Sequence, residues 1–338
     1  MKAPIHLAIL GATGAVGVEV LKTLEKRNFP VRKLTLLASE RSAGKSMKFK
    51  GESLKVLQVK SSSFEGVDIA IFSAGATRSR EFAPHAQKAG AVVVDNSSAF
   101  RMDPSVPLVV PEVNGADVAN HHGIIANPNC SAAIMVVPLW PLHQRAGIRR
   151  IVVSTYQAAS GAGARAMAEL ESQARDVLAG KPAKKEVFPH QIAFNVFSHN
   201  TKVAENGYNE EENKVIEETR KMFHDPRLAI CPTCIRVPIF RAHSESVVIE
   251  TERKLSADEA RKILSSAPGV RVVDDRAANY FPMPIEASGQ DEVFVGRIRE
   301  DPSTPNGLAM FISGDQLLKG AALNAVQIAE ILIKSHGS

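Results

Sequence analysis

Ile5-His6-Leu7-Ala8-Ile9-Leu10, running straight into Gly11-Ala12-Thr13-Gly14-Ala15-Val16-Gly17, is the stretch that decides the fold. Its first six residues form a largely apolar run of strand length. The next seven are mostly small, and from within them onward Val16, Val20, Leu21 and Leu24 recur at helical spacing until Asn28-Phe29-Pro30 stops the pattern. Small residues let the backbone turn tightly, and a helix start offers free N–H groups and positive dipole to a pyrophosphate. The glycines are spaced GxxGxxG rather than GxGxxG, so the placement between strand and helix carries the dinucleotide reading against that of a purely structural turn.

Outward from there, Leu34–Ala38, Asp68–Ser73, Ala91–Asp95 and Gly123–Ala126 read as further short strands, the pattern of βαβ units around a parallel sheet. From Ile148 the pattern changes. Longer, partly alternating runs are expected at Arg149–Thr155, Ile235–Phe240, Ser246–Thr251, Glu292–Arg297 and Leu308–Ile312. Helices are expected at Ala162–Ala179 and Tyr208–Phe223, after the cap-like Ser256-Ala257-Asp258-Glu259, and at Gln316–Lys334, the last packing back on the first domain. The fold class is α/β: a Rossmann-type parallel-sheet domain over residues 1–128 and 315–338, and a mixed α+β domain over 129–314.

Composition narrows the function. At 338 residues the chain is long enough for two domains, and its 44% hydrophobic and 23% charged content is that of a globular protein. A net charge of +5 on such a length, with one Trp and three Tyr, argues against nucleic acid as a partner. No signal-peptide pattern precedes Ile5, no apolar run approaches the roughly 18 residues that span a bilayer, and three cysteines make no disulfide framework. The expectation is a cytoplasmic protein without membrane partners.

The second strand ends in Ser39-Glu40-Arg41-Ser42. An acid here suits a ribose 2′-hydroxyl, whereas Arg flanked by hydroxyls suits a 2′-phosphate. Arg41 between Ser39 and Ser42 favours NADP, and a solvated charged loop is the plainer alternative. Ser73-Ala74-Gly75-Ala76-Thr77 is a small-residue loop at a strand's carboxyl end, where ligands of such folds sit, or an ordinary βα turn.

Asn127-Pro128-Asn129-Cys130-Ser131 follows the fifth strand, and Cys130 opens the apolar stretch Ala132–Val137. If that stretch is helical, its dipole favours the thiolate, which can attack an activated carboxyl and hold the product as a thioester. The polar turn before Cys130 argues against a merely buried core cysteine. Cys231-Pro232-Thr233-Cys234 matches C-x-x-C but has no second ligand pair and no thioredoxin-like context, so both cysteines read as structural and no metal site is expected. His243 lies beside Arg241 and behind Arg236, which suits acid/base work on an acidic substrate, although a lone His is more often structural.

Several separated motifs, taken together, resemble the aspartate-β-semialdehyde dehydrogenase family over essentially the whole chain. They are Gly11–Gly17, Asp95-Asn96-Ser97-Ser98-Ala99-Phe100-Arg101, Asn127–Ser131, Ser154-Thr155-Tyr156-Gln157-Ala158-Ala159-Ser160-Gly161-Ala162-Gly163, Glu211-Glu212-Asn213-Lys214, Arg236–His243 and Gly314-Asp315-Gln316. The resemblance implies reductive dephosphorylation of L-aspartyl-4-phosphate with NADPH, in aspartate-family amino-acid biosynthesis. It implies Cys130 as nucleophile, His243 as general acid/base and Gln157 as the residue orienting the substrate. It further implies Arg236 for the α-carboxylate, Glu211 for the ammonium, and Arg101, Asn129 and Lys214 for phosphate. Gly11, Thr13, Gly14, Ala15, Val16, Ser39, Arg41, Ser42, Ser73, Gly75, Asn96, Ser160, Gly161 and Gln316 would hold NADP, and the assembly would be a homodimer or homotetramer. Where many members have Ser-Thr after the cysteine, this chain has Ser131-Ala132, which removes one hydroxyl. Glu211 and Lys214 could instead be an exposed ion pair on a helix, and Arg101 a surface arginine after a turn. Two rivals remain: an N-acetyl-γ-glutamyl-phosphate reductase, whose cysteine motif typically reads Asn-Pro-Gly-Cys, and a non-catalytic dinucleotide-binding regulator.

Overall fold

In the computed structural model, which describes residues 4–335, Ile5–Leu10 is a fully buried strand (β1), and the glycine turn leads into helix α1 (Ala15–Lys26). The chain divides into two compact units, one reaching to Asn129 and resuming at Ala321, the other Cys130–Gly320.

The first unit adds β2 (Val31–Ala38), β3 (Ser46–Phe49), β4 (Glu52–Gln58), β5 (Ile69–Phe72), α2 (Ala76–Lys88), β6 (Val92–Asp95), α3 (Pro111–Asn114) and β7 (Ile124–Ala126). Its sheet runs β3-β4-β2-β1-β5-β6-β7, parallel except where β3 turns back on β4. From β1 the chain goes first to β2 on one side and later to β5 on the other, which makes the carboxyl ends of β1 and β5 the switch point where such sheets bind ligands. Val20, Leu21 and Leu24 of α1 join Ile5, Leu7 and Ile9 in one core, together with Ala325, Val326, Ile328, Ala329 and Leu332 of the last helix. Each large aliphatic side chain so buried contributes about 1.5–3 kcal/mol.

The second unit opens with α4 (Cys130–Ala146) and continues with β8 (Ile148–Gln157), α5 (Ala164–Leu178), β9 (Phe197–Ser198), α6 (Glu210–Phe223), β10 (Ala229–Arg236), β11 (His243–Thr251), α7 (Ala257–Ser265), β12 (Val270–Val272), α8 (Pro284–Ala287), β13 (Val293–Asp301) and β14 (Gly307–Gly314). Its mixed sheet is ordered β12-β13-β14-β11-β8-β10-β9. Along β8 the period of two is visible in burial: Ile151, Val153, Thr155 and Gln157 are buried, while Val152, Ser154 and Tyr156 are only half-buried. A single turn of π-helix (Leu318–Ala322) then leads into α9 (Leu323–Ser335).

The expected strand at Ile235–Phe240 is corrected: β10 covers Ala229–Arg236, and Val237–Ala242 is a loop whose carbonyls at Ile239 and Phe240 accept from Ala159 and Ser160. Pro232 disguised the strand. It is tolerated because β9 reaches only Ile235 and Arg236, leaving β10 an edge at the proline. His243 therefore begins β11 rather than trailing a strand. Cys231 and Cys234 are three residues apart on β10, so their side chains leave opposite faces, the first exposed and the second buried.

Candidate active site

The dinucleotide signature is built as its residue types require. Gly11 has φ +90°, and a Cβ there would lie 2.3 Å from the Ser73 carbonyl oxygen, so the turns after β1 and β5 touch through hydrogen alone. A Cβ on Gly17 would lie 2.3 Å from the Gly11 carbonyl oxygen, which presses α1 against its own entry turn. Gly14 caps α1 with no side-chain hydrogen bond and no acid follows in the first turn, so the helix start keeps N–H groups and positive dipole for an anion. Ser73 and Gly75, which caps α2 with φ +86°, follow β5, and Asn96 follows β6. Asn96 donates Nδ2 to the Phe72 carbonyl, while its buried Oδ1 has no partner among the described residues. Ser39, Arg41 and Ser42 lie on and before a 3-10 turn after β2, with Arg41 exposed.

Arg101 is no surface arginine. It is 8% exposed, donating Nε to the Asn127 carbonyl and Nη2 to the Asn96 carbonyl, each at 2.9 Å, and so ties the turns after β6 and β7. Asn324 braces the second of these turns by donating to Asn127 Oδ1 at 2.7 Å, and Asn129 at its end is buried.

In the second unit Cys130 is the first residue of α4, half-buried, as the apolar stretch behind it required; a Cβ on Gly320 would lie 2.8 Å from the Cys130 Cβ. The helix extends through Pro138 and Pro141 to Ala146. Gln157, at the carboxyl end of β8 and fully buried, donates Nε2 to Ser131 Oγ at 2.8 Å and to Glu211 Oε1 at 3.0 Å. One amide thus connects the residue beside the cysteine to the first turn of α6. Glu211 is 7% exposed, and Lys214 ion-pairs with Glu210 at 2.7 Å while standing 3.8 Å from Glu211, so this is an inward-facing pair. Arg236, ending β10, donates Nη1 to the Ala158 carbonyl and Nη2 to His199 Nε2, with its guanidinium 5.8 Å from the Phe188 ring centre. Burial lowers the Arg236 pKa, and Glu211 and Cys130 are near enough to oppose that shift.

His243 follows next across the sheet, because β11 pairs with β8 at Ser244 and Tyr156. It is fully buried, and its Nδ1 accepts the Ala158 N–H at 3.0 Å. Burial, reinforced by the Arg236 charge, lowers its pKa to about 3, so the ring is neutral with its proton on Nε2. Gly161 faces this pair: a Cβ there would lie 3.0 Å from Arg236 Nη1 and 3.2 Å from His243 Nε2. Gln157 Oε1, Arg236 Nε and His243 Nε2 are buried without partners among the described residues. Each such atom costs about 1–3 kcal/mol unless a ligand satisfies it, so three on neighbouring residues mark a binding site. Gln316 holds the wall of the loop, donating to Ser160 Oγ and accepting from the Ala242 N–H. His199, Thr201, Phe188 and Ser131 escaped the sequence reading. Three of them lie in the irregular run from Phe188 to Thr201, which offers no periodicity, and Ser131 was noted only as the neighbour of Cys130.

Residues 6–121 match the family described as semialdehyde dehydrogenase, NAD binding domain, and residues 139–319 match the semialdehyde dehydrogenase dimerisation domain, which makes the chain an oxidoreductase with a nicotinamide-dinucleotide-binding domain. The chain is 55% identical to an aspartate-semialdehyde dehydrogenase of Synechocystis over 99% of both chains, and 55% identical to that of Aquifex aeolicus over 97% of this chain and 98% of the relative. It is also similar to the crystal structure of aspartate semialdehyde dehydrogenase II from Vibrio cholerae complexed with ASA, with a TM-score of 0.96 and 44% identity over 99% of each chain. The chain belongs to the aspartate-semialdehyde dehydrogenase family.

Proposed function

We propose that the chain reduces L-aspartyl-4-phosphate to L-aspartate-4-semialdehyde and phosphate with NADPH, reversibly, through a thioester on Cys130. The observation that carries this is the donor set beside α4. An aspartyl group bears a carboxylate and an ammonium, and next to Cys130 stand a buried Arg236 with an unpartnered Nε and a buried Glu211. Guanidinium suits the first and carboxylate the second. Arg101, Asn129 and Lys214 are the residues for the phosphate.

The helix dipole at α4 favours the Cys130 thiolate. Its sulfur attacks the acyl carbon, the C–S bond forms, the C–O bond to phosphorus breaks and phosphate leaves with the electron pair. Gln157, fixed by Ser131 and Glu211, offers Oε1 to orient the substrate. His243 presents Nε2–H to the substrate oxygen that gains charge. Collapse of the hemithioacetal that would form once the thioester carbon has been reduced breaks the C–S bond, releases the aldehyde and restores the thiolate.

A nicotinamide dinucleotide fits the first unit: an uncapped helix start, a turn in which Cβ atoms would clash, and the orphaned Asn96 Oδ1 beside it. Gly11, Thr13, Gly14, Ala15 and Val16 would hold its pyrophosphate, with Ser39, Arg41 and Ser42 on a 2′-phosphate, and Ser73, Gly75, Asn96, Ser160, Gly161 and Gln316 as the remaining contacts. When bound it supplies the hydride. The exposed Arg41, which forms no ion pair among the described residues, supports NADP over NAD. The same reading puts the chain in the cytoplasm, where its three cysteines stay reduced, as a homodimer or homotetramer in amino-acid biosynthesis. Among the described residues no helix is long and apolar enough to cross a membrane.

The test is reduction of NADP or NAD by purified protein with aspartate semialdehyde, with and without phosphate. Phosphate-dependent NADPH formation exceeding NADH formation is expected. Activity only with N-acetyl-glutamate semialdehyde, or none with either aldehyde, would overturn the proposal.

A further inference from the structure

Arg236 and Glu211 sit on different elements, β10 and α6, yet a substrate with its carboxylate and ammonium on one carbon atom needs them at a fixed separation. A side-chain chain joins them. Arg236 Nη2 meets His199 Nε2 at 2.8 Å, His199 Nδ1 meets Thr201 Oγ1 at 3.2 Å, and Thr201 Oγ1 accepts the Glu211 backbone N–H at 3.2 Å. Arginine only donates, so His199 Nε2 must accept, and Nδ1 carries the proton toward Thr201. The hydroxyl then accepts from both and has its own proton free for Asn209 Oδ1, the cap of α6, at 3.5 Å. Burial lowers the His199 pKa to about 4, which keeps the accepting form near neutral pH. The His199 backbone is itself anchored, donating to the Cys234 carbonyl at 2.8 Å.

We propose that His199 and Thr201 are positioning residues: their bridge sets the spacing of Arg236 and Glu211 and thereby the preference for an aldehyde carrying both a carboxylate and an ammonium on one carbon. This rests on the assignment of Arg236 to the carboxylate and Glu211 to the ammonium. Neither residue of the bridge touches the reacting atoms. Losing the bridge removes one of the two hydrogen bonds that fix the guanidinium, leaving only that to the Ala158 carbonyl, which weakens carboxylate binding and leaves the chemistry at Cys130 intact.

The experiment compares aspartate semialdehyde with 3-aminopropanal, which keeps the aldehyde and ammonium and lacks the carboxylate, in wild type, His199→Ala, His199→Gln, Thr201→Val and Arg236→Ala. The readout is the ratio of kcat/KM for the two aldehydes. His199→Ala is expected to lower that ratio about tenfold, roughly 1.4 kcal/mol, through a higher KM for aspartate semialdehyde. Its KM for phosphate and for NADP stays unchanged. His199→Gln, whose Oε1 reaches about as far as the imidazole Nε2, restores most of the ratio, and Thr201→Val lowers it in the same direction. An unchanged ratio in both His199→Ala and Thr201→Val, or an equal loss on both aldehydes, overturns the bridge. An unchanged ratio in Arg236→Ala overturns the carboxylate assignment beneath it, whereas a fall there without one in His199→Ala removes the bridge alone.

Discussion

His243 commits Nδ1 to the Ala158 N–H and leaves Nε2 without a partner among the described residues, so the proposed donor role depends on its staying neutral in a fully buried position. That has a cost in acid. Its pKa falls from 6.5 in the open chain to about 3 in the fold, chiefly through burial. Between those values the unfolded chain binds a proton that the folded one refuses, so the stability contribution is lost as pH drops below 6.5. Glu245, also fully buried and with neither oxygen partnered among the described residues, is shifted upward by burial and contributes in the opposite sense, so the wild-type profile alone mixes the two. The difference between wild type and His243→Gln isolates the imidazole. In denaturant titrations from pH 7.5 to 5, wild type is expected to lose stability relative to the variant, approaching about 1.4 kcal/mol per pH unit. A constant difference across that range would show that His243 is not held neutral by burial. At this scale the sequence was legible wherever a residue sits in a compact motif. Cys130, Gln157, Arg236 and His243 each stand at the end or start of a regular element, where motif and geometry coincide. His199 was not legible, because its role comes from a hydrogen bond across 37 positions of chain.

The central strands and long helices were readable because period and burial agree in them: β1, β5 and β6 are uniformly buried, and α1 and α6 show one apolar stripe. The hairpin β3–β4 was not read. Its strands carry charged and polar residues on a half-exposed edge, and its turn, Lys50-Gly51, shows itself only through two positive φ angles. Helix α2 hid behind Pro84, and β10 behind Pro232. The mixed sheet carries a prediction of its own. Its face with Val152, Ser154, Tyr156, Ile235, Ser246, Val248 and Phe311 is only half-buried within the chain, a broad, partly apolar surface of the kind that pairs with a second copy. Sedimentation analysis is expected to give a dimer or a multiple of it. Val248→Asp, placing a charge on that face, is expected to shift the protein toward monomer. A wild-type monomer at micromolar concentration would contradict this use of the sheet.

For the molecule as a whole, the proposed reaction divides its residues between the two units: the first carries the glycine turn and Arg41, the second Cys130, Arg236 and Glu211. The boundary between the two roles falls inside Asn129-Cys130, where a parallel-sheet turn becomes a helix start, and so the motif reads continuously in the sequence while its residues serve two units. The central claim is the covalent one, and intact-protein and peptide mass spectrometry after rapid quenching tests it most directly. The protein is incubated with L-aspartyl-4-phosphate without NADPH, beside a Cys130→Ala variant checked for NADP binding. An added aspartyl group on the Cys130 peptide of wild type, absent from a variant that still binds NADP and does not turn over, is the predicted result. Turnover by the variant, or an aspartyl group found on another residue, would contradict it.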